Sequence, residues 1–232
     1  NLTQNGAINN WHNIRDASVD SQDDGEANNG SQGVAFVISH DDGGAYMSNV
    51  AHAFVLMRPG NVNVYHNAKQ FGDNRDFPKD GRGDALGGFY GNTITKLVEI
   101  RNSHGRGTFR ERWVDDAFNP NGFSNIYIYE RDKSAVVGLN SRLDGGFDTR
   151  NGVQTAFAAG THLVELTGNA SDAVVDPLND IPNTLVVDSQ GRIDMRVPRN
   201  RNANNVEHGK GYVIYGVATP QGTQTVSNVL RV

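Results

Sequence analysis

The sequence predicts an α/β segment followed by an all-β domain. Three observations carry this reading: a strand-length apolar run at Val34 to Ser39, a helical stripe directly after it, and period-two patterning from about residue 123 onward. The run Val-Ala-Phe-Val-Ile-Ser is apolar on both faces, as in a parallel strand covered by helices on each side. Met47, Val50, Ala51, Phe54 and Val55 then recur at helical spacing and define one apolar stripe, which Arg58-Pro59-Gly60 stops. Val62, Val64 and Tyr65 supply a second strand. Residues 34–66 thus read strand, helix, strand, a βαβ unit.

Residues 1–33 are mostly polar, with a short helical piece around Trp11 and Ile14. Residues 67–91 are rich in Gly, Asp and Arg without a period, and read as a long loop. Asn92 or Thr93 can cap a second helix, with Ile94, Leu97, Val98 and Arg101 on its inner side and Gly105 at its end. Residues 105–122 are basic, aromatic and irregular. From about 123 the period is two: Ile126 and Ile128 alternate with Tyr127 and Tyr129. Val136–Leu139, His162–Leu166, Leu185–Val187, Ile193–Val197 and Tyr212–Val217 are further short strands, separated by Gly, Asn and Pro turn signals. Several short strands with no helix between them indicate an antiparallel β-sandwich. The expected division is 1–122 and 123–232, with the boundary near Pro120–Gly122.

Composition narrows the function. Asp plus Glu is 26 against 21 Lys plus Arg, a formal charge of −5, which argues against nucleic-acid and anionic-membrane partners. No apolar run approaches the roughly 20 residues that span a bilayer. Cysteine is absent, which excludes disulfides, thiolate catalysis and Cys-based zinc sites. The abundance of Gly and Asn suits an extracellular or periplasmic protein. No residue pattern demands a cofactor. Calcium is the one candidate ion, through the acidic loops Asp20–Glu26 and Asn169–Asp180; neither has EF-hand spacing, and a solvated loop is the plainer reading of both.

The strongest local signal is Phe36-Val37-Ile38-Ser39-His40-Asp41, where a buried strand delivers a His and an Asp at its carboxyl end. That end binds ligands in parallel α/β folds. The plain alternative has Asp41 capping the next helix and His40 bonding a loop carbonyl. His52 reads as a packed core histidine, and His12 and His66 lack metal-type spacing. Arg106, Arg110, Arg112 and Trp113 read as packing and ion pairs where the two halves meet, with sugar stacking on Trp113 as the other reading.

In serial order these pieces resemble the last portion of the α-amylase family, glycoside hydrolase family 13. There a late strand of a (β/α)8 barrel carries aromatic-Val-x-x-His-Asp, and a helix, a Pro-Gly turn, a final strand and a last helix precede a C-terminal antiparallel sandwich. The matching residues are Phe36 to Asp41, Pro59-Gly60 with Val64-Tyr65, Leu97 to Arg101 with His104, Thr161 to Gly168, and Gly191 to Pro198. The resemblance covers roughly residues 30–220. It implies a retaining hydrolase of α-glucans. Asp41 would stabilise the oxocarbenium-like transition state, His40 would bind hydroxyls of the central sugar, and Tyr65 would contact substrate. Tyr65-His66-Asn67-Ala68-Lys69-Gln70 departs from the family's Y-Y-G-x-E there.

A whole barrel takes about 250 residues, and about 120 precede the sandwich here. The resemblance therefore implies a barrel remnant, with the nucleophile and general acid/base on strands upstream of Asn1, and barrel edges through which copies could associate. Arg82-Gly83-Asp84-Ala85 matches the core of the family's nucleophile motif, but no apolar strand precedes it, so Asp84 reads as a loop residue. A small independent hydrolase using Asp41, Asp42 and Asp84 is a further reading. A non-catalytic carbohydrate-binding or supporting sandwich is the main alternative.

Overall fold

The computed structural model describes residue 11 and residues 34–37, 45–58, 62–65, 93–115, 125–142, 144–200 and 209–218. The βαβ unit is present: β1 (Val34–Val37), α1 (Ala45–Leu56) and β2 (Val62–Tyr65). β1 and β2 pair in parallel, Val34 opposite Val62 and Val37 opposite Tyr65. The second helix, α2 (Thr93–His104), starts at one of the two expected caps and stops before Gly105. Among the described residues no helix is long and apolar enough to cross a membrane.

Among the described residues eight strands follow: β3 (Phe109–Val114), β4 (Ile126–Arg131), β5 (Ala135–Asn140), β6 (Phe147–Gln154), β7 (His162–Glu165), β8 (Thr184–Val186), β9 (Arg192–Pro198) and β10 (Tyr212–Gly216). Six form one antiparallel sheet in the order β3-β4-β5-β10-β7-β8, and β6 pairs with β9 in a separate antiparallel ribbon. The sheet begins at Phe109, upstream of the expected boundary at 122.

The alternation seen in the sequence sorts side chains into two cores. Tyr127, Tyr129, Val137, Leu139, Tyr212 and Ile214 face α1, α2 and Trp11. Ile126, Ile128, Val136, Val213 and Tyr215 face the β6–β9 ribbon, where Val153, Ile193, Met195 and Val197 meet them. Both faces of the central strands are therefore covered, and every residue of β4, β5 and β10 is buried. Gly138 lets the ribbon approach: a Cβ there would lie 2.8 Å from Val197 Cγ2 and 2.9 Å from Met195 Cε.

Two details correct the sequence reading. Residues 49–58 of α1 and its end are buried on all sides, including Asn49, His52 and Ala53, so the helix is enclosed rather than striped. Val98 points outward at 37 % exposure, and Ile100 takes the inner position beside Ile94 and Leu97.

Charge clamps the two strands of the ribbon to each other at Asp148, and Asn140 of β5 ties that carboxylate to the large sheet. Arg199 grips Asp148 with both ends of its guanidinium, at 2.8 and 3.1 Å, and the buried Asn140 amide donates to the same carboxylate at 2.9 Å. Burial works to raise the Asp148 carboxyl, but the hydrogen bonds from Arg199 and Asn140 and the charges of Arg199 and Arg142 outweigh it and hold the group below its ordinary value. A carboxyl depressed in the fold contributes stability above its unfolded pKa of about 3.9, and that contribution fades as pH falls through the lower folded value. The melting-temperature gap between wild type and Asp148→Asn should therefore be widest above about pH 5 and close as pH falls through the depressed folded value. A gap that widens on acidification would contradict the assignment.

Candidate functional site

The candidate site begins with the parallel pair. Because Val37 stands opposite Tyr65, both strands end at the same carboxyl edge, and the chain leaves that edge toward His40-Asp41 before entering α1. His40 and Asp41 lie outside the described residues, as do Asp42, Asp84, His12, His66 and the loop Asp20–Glu26. Tyr65 is the last residue of β2.

The described residues do show how this unit is seated. The last carbonyls of a helix have no intrahelical partner. At the end of α1 each finds one. The Tyr129 hydroxyl donates to Phe54 O at 2.9 Å and lies 3.4 Å from Ala53 O; Arg58 N donates to Val55 O at 3.1 Å. Arg101 Nη1 donates to Leu56 O and, at 3.0 Å, to Arg58 O. Arg131 Nη1 donates to Met57 O at 3.1 Å, while its Nε reaches Gly107 O at 3.0 Å. Two guanidinium groups thus sit where the helix dipole is negative. Arg58 itself is buried, its guanidinium carbon 4.2 Å from the Phe109 ring centroid and 5.4 Å from that of Phe54. Burial lowers its pKa, against the raising influence of Tyr127, Tyr129 and Glu111. Burial likewise pushes the Tyr127 and Tyr129 hydroxyls above their ordinary range, so both remain protonated.

The basic stretch after α2 is ion-paired as read from the sequence. Arg110 Nε contacts both Asp132 oxygens at 2.8 and 2.7 Å, Arg112 bonds the fully buried Glu130 at 2.6 and 2.7 Å, and Arg106 donates to Asn102 O at 3.3 Å. His52 is fully buried in α1, in line with a core histidine. In the 169–180 loop the carboxylates of Asp172 and Asp176 serve the protein's own groups. Asp176 accepts from Asp180 N at 3.0 Å and Ile181 N at 2.7 Å, and Asp172 accepts from Val174 N at 2.9 Å and Lys210 Nζ at 3.0 Å. Among the described residues no three His, Asp or Glu side chains gather as a metal site.

A cavity of about 250 Å³ lies between the first turn of α2 and the start of β10, bordered by Thr93, Lys96, Asn169, Lys210 and Tyr212 among others. None of its lining residues comes from β1, α1 or β2. Both lysines already face carboxylates, Lys96 with Glu99 at 3.6 Å and Lys210 with Asp172 at 3.0 Å, so it is not a bare cationic pocket. Sequence reasoning placed Arg101 on the inner side of α2 but did not find its task, nor those of Tyr129, Glu130, Arg131, Asp115 and Arg150. Their only sequence signal is charge or hydroxyl within otherwise apolar or alternating strands.

No family model matches the chain, and no curated protein matches it. Among solved structures, a γ-CGTase from alkalophilic Bacillus clarkii superposes on 93 % of this chain with a TM-score of 0.59 at 16 % identity. An α-amylase I from Eisenia fetida covers 81 % of it with a TM-score of 0.50 at 17 % identity. The chain spans 30 % and 42 % of the length of those two proteins. The likeness is one of fold: a mostly antiparallel sheet with few helices, arranged as in part of these enzymes.

Proposed function

We propose that the chain is the carboxyl-terminal portion of an α-amylase-like retaining glycoside hydrolase acting on α-glucans. The observation that carries this is the parallel β1-α1-β2 unit, with His40-Asp41 following the carboxyl end of β1 and the antiparallel sheets following α2. The fold likeness to a CGTase over nearly the whole chain supports the same reading. In it, β1 and β2 are inner staves of a barrel, residues 1–122 apart from β3 belong to that barrel, and the all-β part, β3 together with residues 123–232, supports it. Asp41 stabilises positive charge developing at the anomeric carbon, His40 holds hydroxyls of the same sugar, and Tyr65 borders the cleft at the neighbouring strand end. The nucleophile and the acid/base, which retaining chemistry requires about 5–5.5 Å apart, come from barrel strands preceding these. The protein acts outside the cytoplasm, and unpaired barrel edges can join copies.

Calorimetry on the chain tests the reading. Maltoheptaose should bind and cellohexaose should not, and Asp41→Ala should weaken maltoheptaose binding by about tenfold or more. Starch should not be turned over by the chain alone. Turnover that vanishes in Asp41→Ala would instead establish an independent hydrolase. Heat from neither sugar would leave the sandwich a supporting module and end the glucan reading.

A further inference from the structure

The chain has two tryptophans, and they are used in opposite ways. Trp11 is fully buried, stacked 5.7 Å from the Tyr127 ring, with its indole N–H donated to Asn125 O at 3.1 Å. Trp113 is 38 % exposed and belongs to neither apolar core. A bulge in β3 between Glu111 and Trp113 shifts the pairing with β4. Bulges of this kind re-aim a side chain. Here Phe109 and Val114 both pack on the helix-side core, and the indole is left outside.

The exposed ring is nonetheless fixed. Its Nε1–H donates to Asp115 Oδ1 at 2.9 Å. The same oxygen accepts from Arg150 Nε at 2.7 Å, and Oδ2 accepts from Ile126 N at 3.1 Å. The Arg150 guanidinium carbon lies 5.8 Å from the indole centroid. Asp115 follows β3 of the large sheet and Arg150 lies on β6 of the ribbon, so this pair orients the indole at the seam between the two sheets. An exposed indole, locked in place with a carboxylate at its N–H edge and a guanidinium over its ring, offers a platform that matches a pyranose ring. The C–H face of the sugar packs on the indole while its hydroxyls meet the neighbouring charged groups.

We infer that Trp113, with Asp115 and Arg150, forms a second glucan-binding site at the sheet seam, one that takes a glucosyl unit of an α-linked chain. The choice of α-linked glucan rests on the proposed function; the platform itself does not. Such a site holds the polymer while another part of it occupies the β1–β2 strand end.

The contrast between the tryptophans makes the site readable. Iodide quenching of fluorescence reports Trp113, since Trp11 is shielded. Maltoheptaose should protect wild type from iodide, with an unchanged titration in Asp41→Ala. Trp113→Ala should lower the calorimetric affinity of this second site by about tenfold or more, and Trp113→Phe should retain part of it. Trp113 is exposed, so neither substitution threatens folding. Iodide quenching unaffected by maltoheptaose overturns the site whatever heat depends on Asp41. Protection by cellohexaose alone overturns the α-glucan assignment. Loss of protection in Asp41→Ala overturns the separation of the two sites.

Discussion

Replacing Glu130 with Ala is expected to lower stability by about 3–5 kcal/mol, read as a fall in the urea midpoint at unchanged slope. Glu130 is fully buried in the strand between Tyr129 and Arg131. Its carboxylate accepts from Arg112 at 2.6 Å, from Lys133 N at 3.2 Å and from Ala156 N at 3.0 and 3.1 Å. One side chain thus joins β3, the β4–β5 turn and the segment leaving β6. A buried pair of this kind adds little when compared with an apolar replacement of both partners, because desolvation offsets the attraction. Breaking one side is different. It leaves two backbone N–H groups without their acceptor and a largely buried Arg112 cation with Asp132 at 3.7 Å in place of its close partner. Glu130→Gln should cost less, since an amide oxygen still accepts while its NH₂ opposes a donor. A double-mutant cycle with Arg112→Ala should show strong coupling. A loss of under about 1 kcal/mol in Glu130→Ala would show that solvent reaches the carboxylate.

The strands that were legible in the sequence differ from those that were not in a physical way. β4, β5 and β10, apart from Glu130, Arg131 and Asn140, are apolar in both registers because helices cover one face and the ribbon covers the other, so each prints a strong pattern. β6 is Phe-Asp-Thr-Arg-Asn-Gly-Val-Gln; it lies in a two-stranded ribbon and only Val153 is fully inside. A register shift between Arg150 and Val153 breaks its period, with Gly152 at φ 69° inside it. β3 is masked by the same device: Phe109 and Val114 pack on one core although five positions apart, which no strict alternation allows. Val98 was misplaced because its helix has one more apolar residue than its buried face needs.

The site was legible in a different sense. A His-Asp pair after an apolar strand is a residue-type signal, and the parallel pairing of that strand is what the structure adds. The seating of α1 left no such signal. Its acceptors are backbone carbonyls, identical at every position, and its side-chain donors come from residues 40 or more positions away in the chain. Only the fold brings them together.

That seating yields the second large effect. Arg131→Met is expected to cost about 3 kcal/mol, and Tyr129→Phe about 1–2 kcal/mol. The Arg131 guanidinium satisfies Met57 O and Gly107 O from a buried position, and methionine can fill its volume but donate nothing. Tyr129→Phe strips the donor from Phe54 O and keeps the ring that packs 6.3 Å from Phe54 and 5.2 Å from Phe109. The loss should be local. Hydrogen exchange in α1 should quicken by about tenfold per 1.4 kcal/mol, while β6 and β9, which share no core with α1, keep their protection. Faster exchange spread evenly over both cores would show that the contacts serve global stability alone. Confined to α1, it would show that the sheet sets the position of the helix that follows β1 in the chain.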